Sequence, residues 1–287
     1  MSRTCPAVLT IAGSDSGGGA GIQADLHTFA ACGVWGASAI TALTAQNTLG
    51  VLATHTVPAP FVRAQIDAVM QDIHPTVWKT GMLATTDIIE TVAHAAAEYA
   101  IPHLVLDPVM VATSGDALLE EDAHHALIHR LLPRATVITP NRAEAEALTG
   151  LLITSLDEMR AAARILHGIG GAAVILTGGH IEDPEWRGHA VDLFFDGTDM
   201  YLLAAERITT TNTHGTGCTF SAALAASLAQ GLPLLTAAQH AKTFITHALR
   251  AAADYQLGRG HGPAGHFLLA QSAPLDPSLV RVVRLGW

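Results

Sequence analysis

Asn212-Thr213-His214-Gly215-Thr216-Gly217-Cys218-Thr219 is the stretch of this chain best equipped for chemistry. Two glycines one residue apart let the backbone turn tightly and aim successive N–H groups at one point. The small-residue pattern from Phe220 to Gln230 that follows predicts a helix. A helix starting here adds its N-terminal partial positive charge, and the result is an anion hole. Cys218 lies at the helix start, where a thiol tends toward thiolate. A nucleophile or base beside an anion hole is what phosphoryl or acyl transfer needs. The alternative is a glycine turn that caps a buried helix, with Cys218 as a small core residue.

The elements that must position this stretch follow from composition and periodicity. The chain has 287 residues, 49% hydrophobic and 14% charged, with a net charge of -10. Lysine occurs only at Lys79 and Lys242, which argues against a nucleic-acid surface. A helix N-terminus is worth only ~0.3–1 kcal/mol per charge, so a polyphosphate would need a divalent metal as well. Cys5, Cys32 and Cys218 match no metal spacing and suggest a reducing compartment. No apolar run reaches the ~18 residues of a membrane span, and Met1 to Ala7 leads into a strand pattern rather than a secretory signal. The expectation is a soluble, cytoplasmic protein.

Ala7 to Ala12 reads as a buried strand, followed by Gly13 to Gly21 with five glycines in nine residues. That loop leaves room for a ligand to approach the backbone. Ile22 to Cys32 predicts a helix with Asp25 in its first turn, and Val34 to Ala45 a strand ending at Gln46-Asn47. Further strands are expected at Val51 to Val57, Thr76 to Lys79, His103 to Leu106, Thr136 to Ile138 and Ala172 to Leu176. Helices are expected at Pro58 to Asp72, Asp87 to Tyr99, Ala123 to Leu132, Ala143 to Leu148 and Ser155 to Leu166. His189 to Phe195 and Met200 to Ala204 read as a hairpin about Asp196-Gly197. Thr216 to Gln230 and Leu234 to Tyr255 are helical, and the tail carries turn signals. Alternating strands and helices mean a mostly parallel sheet covered on both faces, in one domain over residues 1–287. Ligands then bind beyond the carboxyl ends of the strands. Gly13 to Gly21, Gln46-Asn47, Asp107, Thr139 to Glu144 and Thr177 to His180 should share that rim.

Other chemistries find weaker support. Gly168-Ile169-Gly170-Gly171-Ala172-Ala173 fits a dinucleotide fingerprint but precedes a strand instead of following one. No Gly-Lys pair exists for a P-loop, and no G-x-S-x-G for a hydrolase elbow. His125 and His129 have metal-pair spacing without a third ligand, as a solvated helix face would.

Assembled, the segments resemble the hydroxymethylpyrimidine/phosphomethylpyrimidine kinases of thiamin synthesis, in the ribokinase-like superfamily. The carriers are Leu9 to Asp15, Gly21 to Asp25, Ile40 to Thr48, Lys79 to Leu83, Asp107 to Met110, Thr139-Pro140-Asn141 with Glu144, Asn212 to Thr219 and Gly260 to Pro263. The resemblance implies an α/β fold, a three-layer α/β/α sandwich. It implies ATP- and Mg²⁺-dependent phosphorylation of 4-amino-5-hydroxymethyl-2-methylpyrimidine and then of its monophosphate, in a homodimer. It places Gly13, Asp25, Gln46, Met82, Val109 and His214 around the pyrimidine. Gly215, Thr216 and Gly217 become the anion hole, with Cys218 as base where many relatives carry Asp. Asn141 and Glu144 organise Mg²⁺ and phosphates, with Glu144 on the metal mainly through water; Asn141 also suits a helix cap. Asp107, Thr177 and Lys242 lie on the nucleotide side. The chain departs from the pattern at Thr113 and Thr177, where the family commonly has Lys. The rivals are a pyridoxal- or pyridoxine-type kinase on the same fold and a non-catalytic pyrimidine-binding protein. Gly17 to Gly21 and Ser114 to Leu119 are the loops expected to move.

Overall fold

Val8 and Thr10 face one side of the first strand, and Leu9 and Ile11 the other; all four are fully buried. Apolar residues on both faces require cover on both faces, and the chain supplies it in order. The computed structural model describes residues 5–110, 122–178, 184–269 and 276–286. Its elements are β1 (Ala7–Asp15), α1 (Gly21–Ala31), β2 (Trp35–Asn47), β3 (Gly50–Thr56), α2 (Ala59–Met70), β4 (Val77–Thr80), α3 (Thr86–Glu98) and β5 (His103–Leu106). Then come α4 (Ala123–Ala126), β6 (Val137–Ile138), α5 (Arg142–Thr149), α6 (Leu156–Gly170), β7 (Ala173–Thr177), β8 (His189–Phe195) and β9 (Met200–Glu206). The last are α7 (Thr216–Ala229), α8 (Leu234–Ala252), α9 (His266–Leu269) and β10 (Arg281–Leu285).

The strands form one sheet in the order β10-β9-β8-β7-β6-β5-β4-β1-β2-β3. Neighbours from β2 through β1, β4, β5 and β6 to β7 run parallel. The pairs β2–β3, β7–β8, β8–β9 and β9–β10 are antiparallel. Leu9, Ile11, Trp78 and Leu104 pack with α2, α3 and α6 residues such as Ile66, Val92 and Met159. Val8, Val77 and Val105 pack on the other face with Phe29, Phe220, Leu224 and Phe244 of α1, α7 and α8. This is the expected three-layer α/β/α sandwich. Among the described residues no helix is long and apolar enough to cross a membrane.

Three elements differ from expectation. The helix expected over Ala123 to Leu132 is α-helical only to Ala126 and continues as a π turn, Leu127–Leu131. The last long helix stops at Ala252 instead of reaching Tyr255. The tail holds β10, which pairs with β9. Its short Arg-Val-Val-Arg-Leu run gains strand character from that long-range partner. Thr113, Ser114 to Leu119, Gly179 and His180 lie outside the described residues.

The chain goes from β1 outward to β2 and then returns to β4 on the other side of β1. That reversal is the topological switch point, where a crevice opens beyond the strand ends. A buried ion cluster holds it together. Lys79 of β4 donates to both oxygens of Asp25 on α1, at 2.9 and 3.0 Å. Both side chains are fully buried. Thr10 of β1 donates to Asp25 Oδ2 at 2.6 Å. Asp107, just after β5, lies 3.8 Å from the same ammonium and accepts from Ser221 of α7 at 2.9 Å. Burial opposes the Lys79 charge, but Asp25, Cys218 and Asp107 outweigh it and its pKa is raised. Asp25 and Asp107 are each raised, chiefly by burial, with Lys79 pulling them back.

Removing one partner of such a pair strands a charge in the core. Lys79→Met should therefore lower the unfolding free energy by about 3–5 kcal/mol. Lys79→Met combined with Asp25→Asn should recover much of it, because no orphan ion remains. Urea titration of the three proteins reads this directly; an unchanged midpoint for Lys79→Met would refute the cluster's structural role.

Candidate active site

The stretch at 212–219 forms the expected glycine turn into a helix. Gly215 is the N-cap of α7 with φ 76°. A Cβ there would stand 1.9 Å from the Gly19 carbonyl oxygen, so only glycine fits. Gly19 is pressed from the other side, since its own Cβ would meet the His214 ring at 2.4 Å. The glycine loop after β1 and the start of α7 are thus in direct contact. Thr216 N–H goes to the Thr213 carbonyl and Thr219 N–H to that of Gly215. Among the described residues the Gly217 and Cys218 N–H groups between them make no backbone bond, as the first N–H groups of a helix do, and they face the position an anion would take.

Cys218 shares this turn but is not a thiolate at rest. Burial pushes its thiol up to about 12. Lys79 and the Gly21 N–H favour the thiolate, whereas Asp107 and Asp25 oppose it. The helix-start argument is overridden chiefly by burial, with the two carboxylates behind the lysine adding to it.

Several of the residues that the resemblance assigns to a ring lie close together. Met82, Ala42 and Ala84 form a small apolar cluster with Val109 packed on it, separate from the two core layers. Gly13 backs this cluster, with Met82 Sδ 3.0 Å from where its Cβ would be. Gln46 joins the ring side to the anion hole: its Nε2 lies 3.3 Å from His214 Nε2. Asp25 does not belong to this surface. It is fully buried, and Lys79 and Thr10 occupy its oxygens, so it supports the floor from beneath.

The glycine loop also differs from expectation. Asp15 accepts from the N–H groups of Gly17, Gly19 and Ala20 at 2.8, 3.1 and 2.9 Å. Those donors are therefore filled from within the chain and not left to a ligand. Ser16 Oγ clasps the backbone of Gln46, accepting from its N–H and donating to its carbonyl, both at 2.8 Å. A loop expected to move is tied down in this structure.

On the nucleotide side, Asn141 and Glu144 form a capping box on α5. Asn141 Oδ1 accepts from Glu144 N–H at 3.0 Å, and Glu144 Oε2 accepts from Asn141 N–H at 2.8 Å. The capping reading of Asn141 is thus realised. Burial, then the nearby charge of Asp107, push the Glu144 carboxyl up to about 8, while the Asn141 and Met110 N–H groups restrain it. Thr177 bridges to Asn141 and pairs with Asp192 across β7 and β8. Lys242 is buried, not solvated: its Nζ donates to Asp192 Oδ2 at 2.7 Å, and Asp192 Oδ1 accepts from Gly178 N–H at 3.2 Å. It reaches the rim only through Asp192.

Two mutually repelling, desolvated carboxylates suit a hard cation, which prefers oxygen ligands and keeps several waters. Among the described residues no group of three His, Cys, Asp or Glu could hold a metal alone. Asp107 and Glu144 therefore fit Mg²⁺ whose shell is completed by water and phosphate oxygens. Clefts of about 460 Å³ (Thr56–Ala59 with Thr85–Asp87) and about 510 Å³ (Thr211, Asn212 and Tyr255–His261) flank the rim; Cys218 lines neither.

Asp15, Lys79, Asp192 and Ser221 escaped sequence reasoning as site residues. Lys79 did leave a signal, as one of only two lysines, set in an otherwise apolar strand. A lone cation there needs a buried partner.

The fold and the α7 turn define a ribokinase-like α/β kinase. The Staphylococcus aureus pyridoxal kinase solved with ADP superposes with a TM-score of 0.88 at 34% identity, covering 99% of this chain and 100% of that one. The phosphomethylpyrimidine kinase family model matches residues 15–265. A hydroxymethylpyrimidine/phosphomethylpyrimidine kinase of Rhizobium meliloti is 52% identical over 260 residues, 90% of this chain and 96% of that protein. A thiamine biosynthesis bifunctional protein of Geobacter sulfurreducens is 51% identical over 92% of this chain; the chain spans about half of its length, 53%. The chain belongs to the phosphomethylpyrimidine kinase family.

With its thiol near 12, Cys218 should be on the order of one part in ten thousand thiolate at pH 8. Its alkylation by iodoacetamide should stay slow there and climb about tenfold per pH unit. Peptide mass spectrometry against pH measures this; a rate that levels off below pH 8 would show a resting thiolate instead.

Proposed function

We propose that this chain, as a single kinase domain over residues 1–287, transfers the γ-phosphoryl group of ATP to 4-amino-5-hydroxymethyl-2-methylpyrimidine and then to the resulting monophosphate. The observation that carries the reading is the continuity of one segment. His214 contacts the ring side at Gln46, and the next residue, Gly215, opens the anion hole. A hydroxymethyl group on a ring held at one side would thus face phosphoryl oxygens held at the other.

In this reading Met82 and Val109 sandwich the flat ring over Gly13, and Gln46 and His214 read its polar edge. The Gly217 and Cys218 N–H groups, with Thr216 closing the turn, bind the transferring group's oxygens. Cys218 accepts the hydroxyl proton; it must first give its own proton to solvent water, and Lys79 and the Gly21 N–H are the groups that favour that loss. Asp107 and Glu144 would hold Mg²⁺, which would supply neutralisation of the phosphate charge when bound. Asn141, Thr177 and the Lys242–Asp192 pair shape the nucleotide edge. Free thiols at Cys5, Cys32 and Cys218 suit a cytoplasmic location. The net charge of -10 disfavours nucleic acid as a partner.

A homodimer belongs to the same proposal. β3 is the last strand of the sheet among the described residues, and Leu43, Leu49 and Leu52 on or near it are 46%, 58% and 77% exposed. A second copy covers these apolar side chains. Light scattering should show a dimer for the wild type and a monomer for Leu52→Asp. A monomeric wild type at micromolar concentration would refute it.

The pyridoxal-type reading has support from the ADP-bound neighbour, whose name is pyridoxal kinase. Coupled ADP release with ATP and Mg²⁺ separates the readings. Turnover of the pyrimidine alcohol and its monophosphate is expected to exceed that of pyridoxal. Cys218→Ala should lower both pyrimidine rates by about 10²–10⁴-fold. A strong preference for pyridoxal would replace the assignment. Ring binding without ADP release would leave only the binding-protein reading, with Thr113 and Thr177 as its motive.

A further inference from the structure

The Asp15 carboxylate does more than fill the glycine loop. It is 3% exposed, and besides the three loop N–H groups its Oδ2 lies 2.8 Å from His214 Nε2. Burial raises this carboxyl, but the His214 hydrogen bond and the Gly17 and Ala20 N–H groups outweigh burial and hold it below its usual value. An ionised carboxylate only accepts hydrogen bonds. The proton in the contact therefore sits on His214 Nε2. A protonated Nε2 has no lone pair, so it cannot accept from the Gln46 amide that lies 3.3 Å away.

The other end of that amide is also fixed. Gln46 Oε1 is 3.0 Å from Thr44 Oγ1, a donor that it shares with the Ser14 carbonyl. As placed, Gln46 has its oxygen on a hydroxyl and its NH₂ beside an N–H that cannot accept from it, so that NH₂ has a hydrogen to give an acceptor outside the chain. The backbone of Gln46 is held by Ser16, one residue from Asp15.

We propose that Asp15 is a positioning residue for ring recognition: by accepting the hydrogen bond of His214 Nε2–H it keeps the proton on that nitrogen and leaves the Gln46 amide as a donor for a ring-nitrogen acceptor. Asp15 itself touches no substrate. The inference rests on the reading that Gln46 and His214 meet the ring. It explains why a loop carboxylate is buried against a histidine 199 positions away. It also makes the site selective for heteroaromatic rings that present an sp² nitrogen lone pair over those that present N–H.

The test is a double-mutant cycle on the intact enzyme with the pyrimidine alcohol as variable substrate. Gln46→Leu and Asp15→Asn should each raise KM about tenfold, and their combination about tenfold as well, not a hundredfold. The kcat values should stay within about threefold, because the anion hole is untouched. A carboxylate that merely caps the loop would give effects that multiply, and that outcome overturns the proposal while leaving the ring site standing. So does an Asp15→Asn effect confined to kcat. An unchanged KM in Gln46→Leu overturns the ring-site reading itself, and this proposal with it. Should Asp15→Asn fail to fold, ¹⁵N spectra of the wild type decide. The His214 signal, assigned by its loss in His214→Gln, should report protonated Nε2, and a tautomer protonated on Nδ1 alone refutes the proposal.

Discussion

The ammonium of Lys79, buried between Asp25 and Asp107, is the contact on which the rest of the site depends. It joins α1 to β4 and approaches the end of β5, while Thr10 and Ser221 extend the same network to β1 and α7. Each of those five elements delivers a part of the site: the glycine loop, Gly13, Met82, Val109 or Cys218. A cation in the interior is expensive to desolvate, and only matched carboxylates make the place tolerable. The five elements are therefore tied to one another at a point and not merely packed side by side.

The same burial and charges act on the chemistry above them. Burial is the main reason that the Cys218 thiol and the Glu144 carboxyl are raised, and the carboxylate charge nearby, Asp107 for both and Asp25 for Cys218, adds to it. A site arranged this way suits an arriving cation. Lys242 adds no unpaired positive charge, because Asp192 neutralises it. Among the described residues, the Gly217 and Cys218 N–H groups are the donors at the start of α7 that no backbone carbonyl takes.

Much of the site was legible because its parts are local. The α7 turn, with Gly215 and Gly217, follows from glycine geometry at neighbouring positions. The capping box at Asn141 and Glu144 follows from a spacing of three. The separate apolar patch at Met82 and Val109 was suggested by the family resemblance and was formed by strand ends that meet on one rim. Asp25, Lys242 and the thiol state of Cys218 came out differently. Each depends on a partner more than 50 positions away or close to it: Lys79 for Asp25, Asp192 for Lys242, and the whole ion cluster for Cys218. No local periodicity encodes such a partner.

The amino-acid order alone determined the α/β alternation, the parallel sheet and the position of the glycine turn that starts α7, because hydrophobic period and glycine content act over a few residues. Family membership was legible in the same motifs. Only the tertiary structure decided which charges are spent on one another. Asp15 closes on its own loop and on His214, Asp25 on Lys79, and Lys242 on Asp192. Burial makes an unpaired charge so costly that the fold, bringing distant residues together, determines which polar groups remain free to meet a substrate.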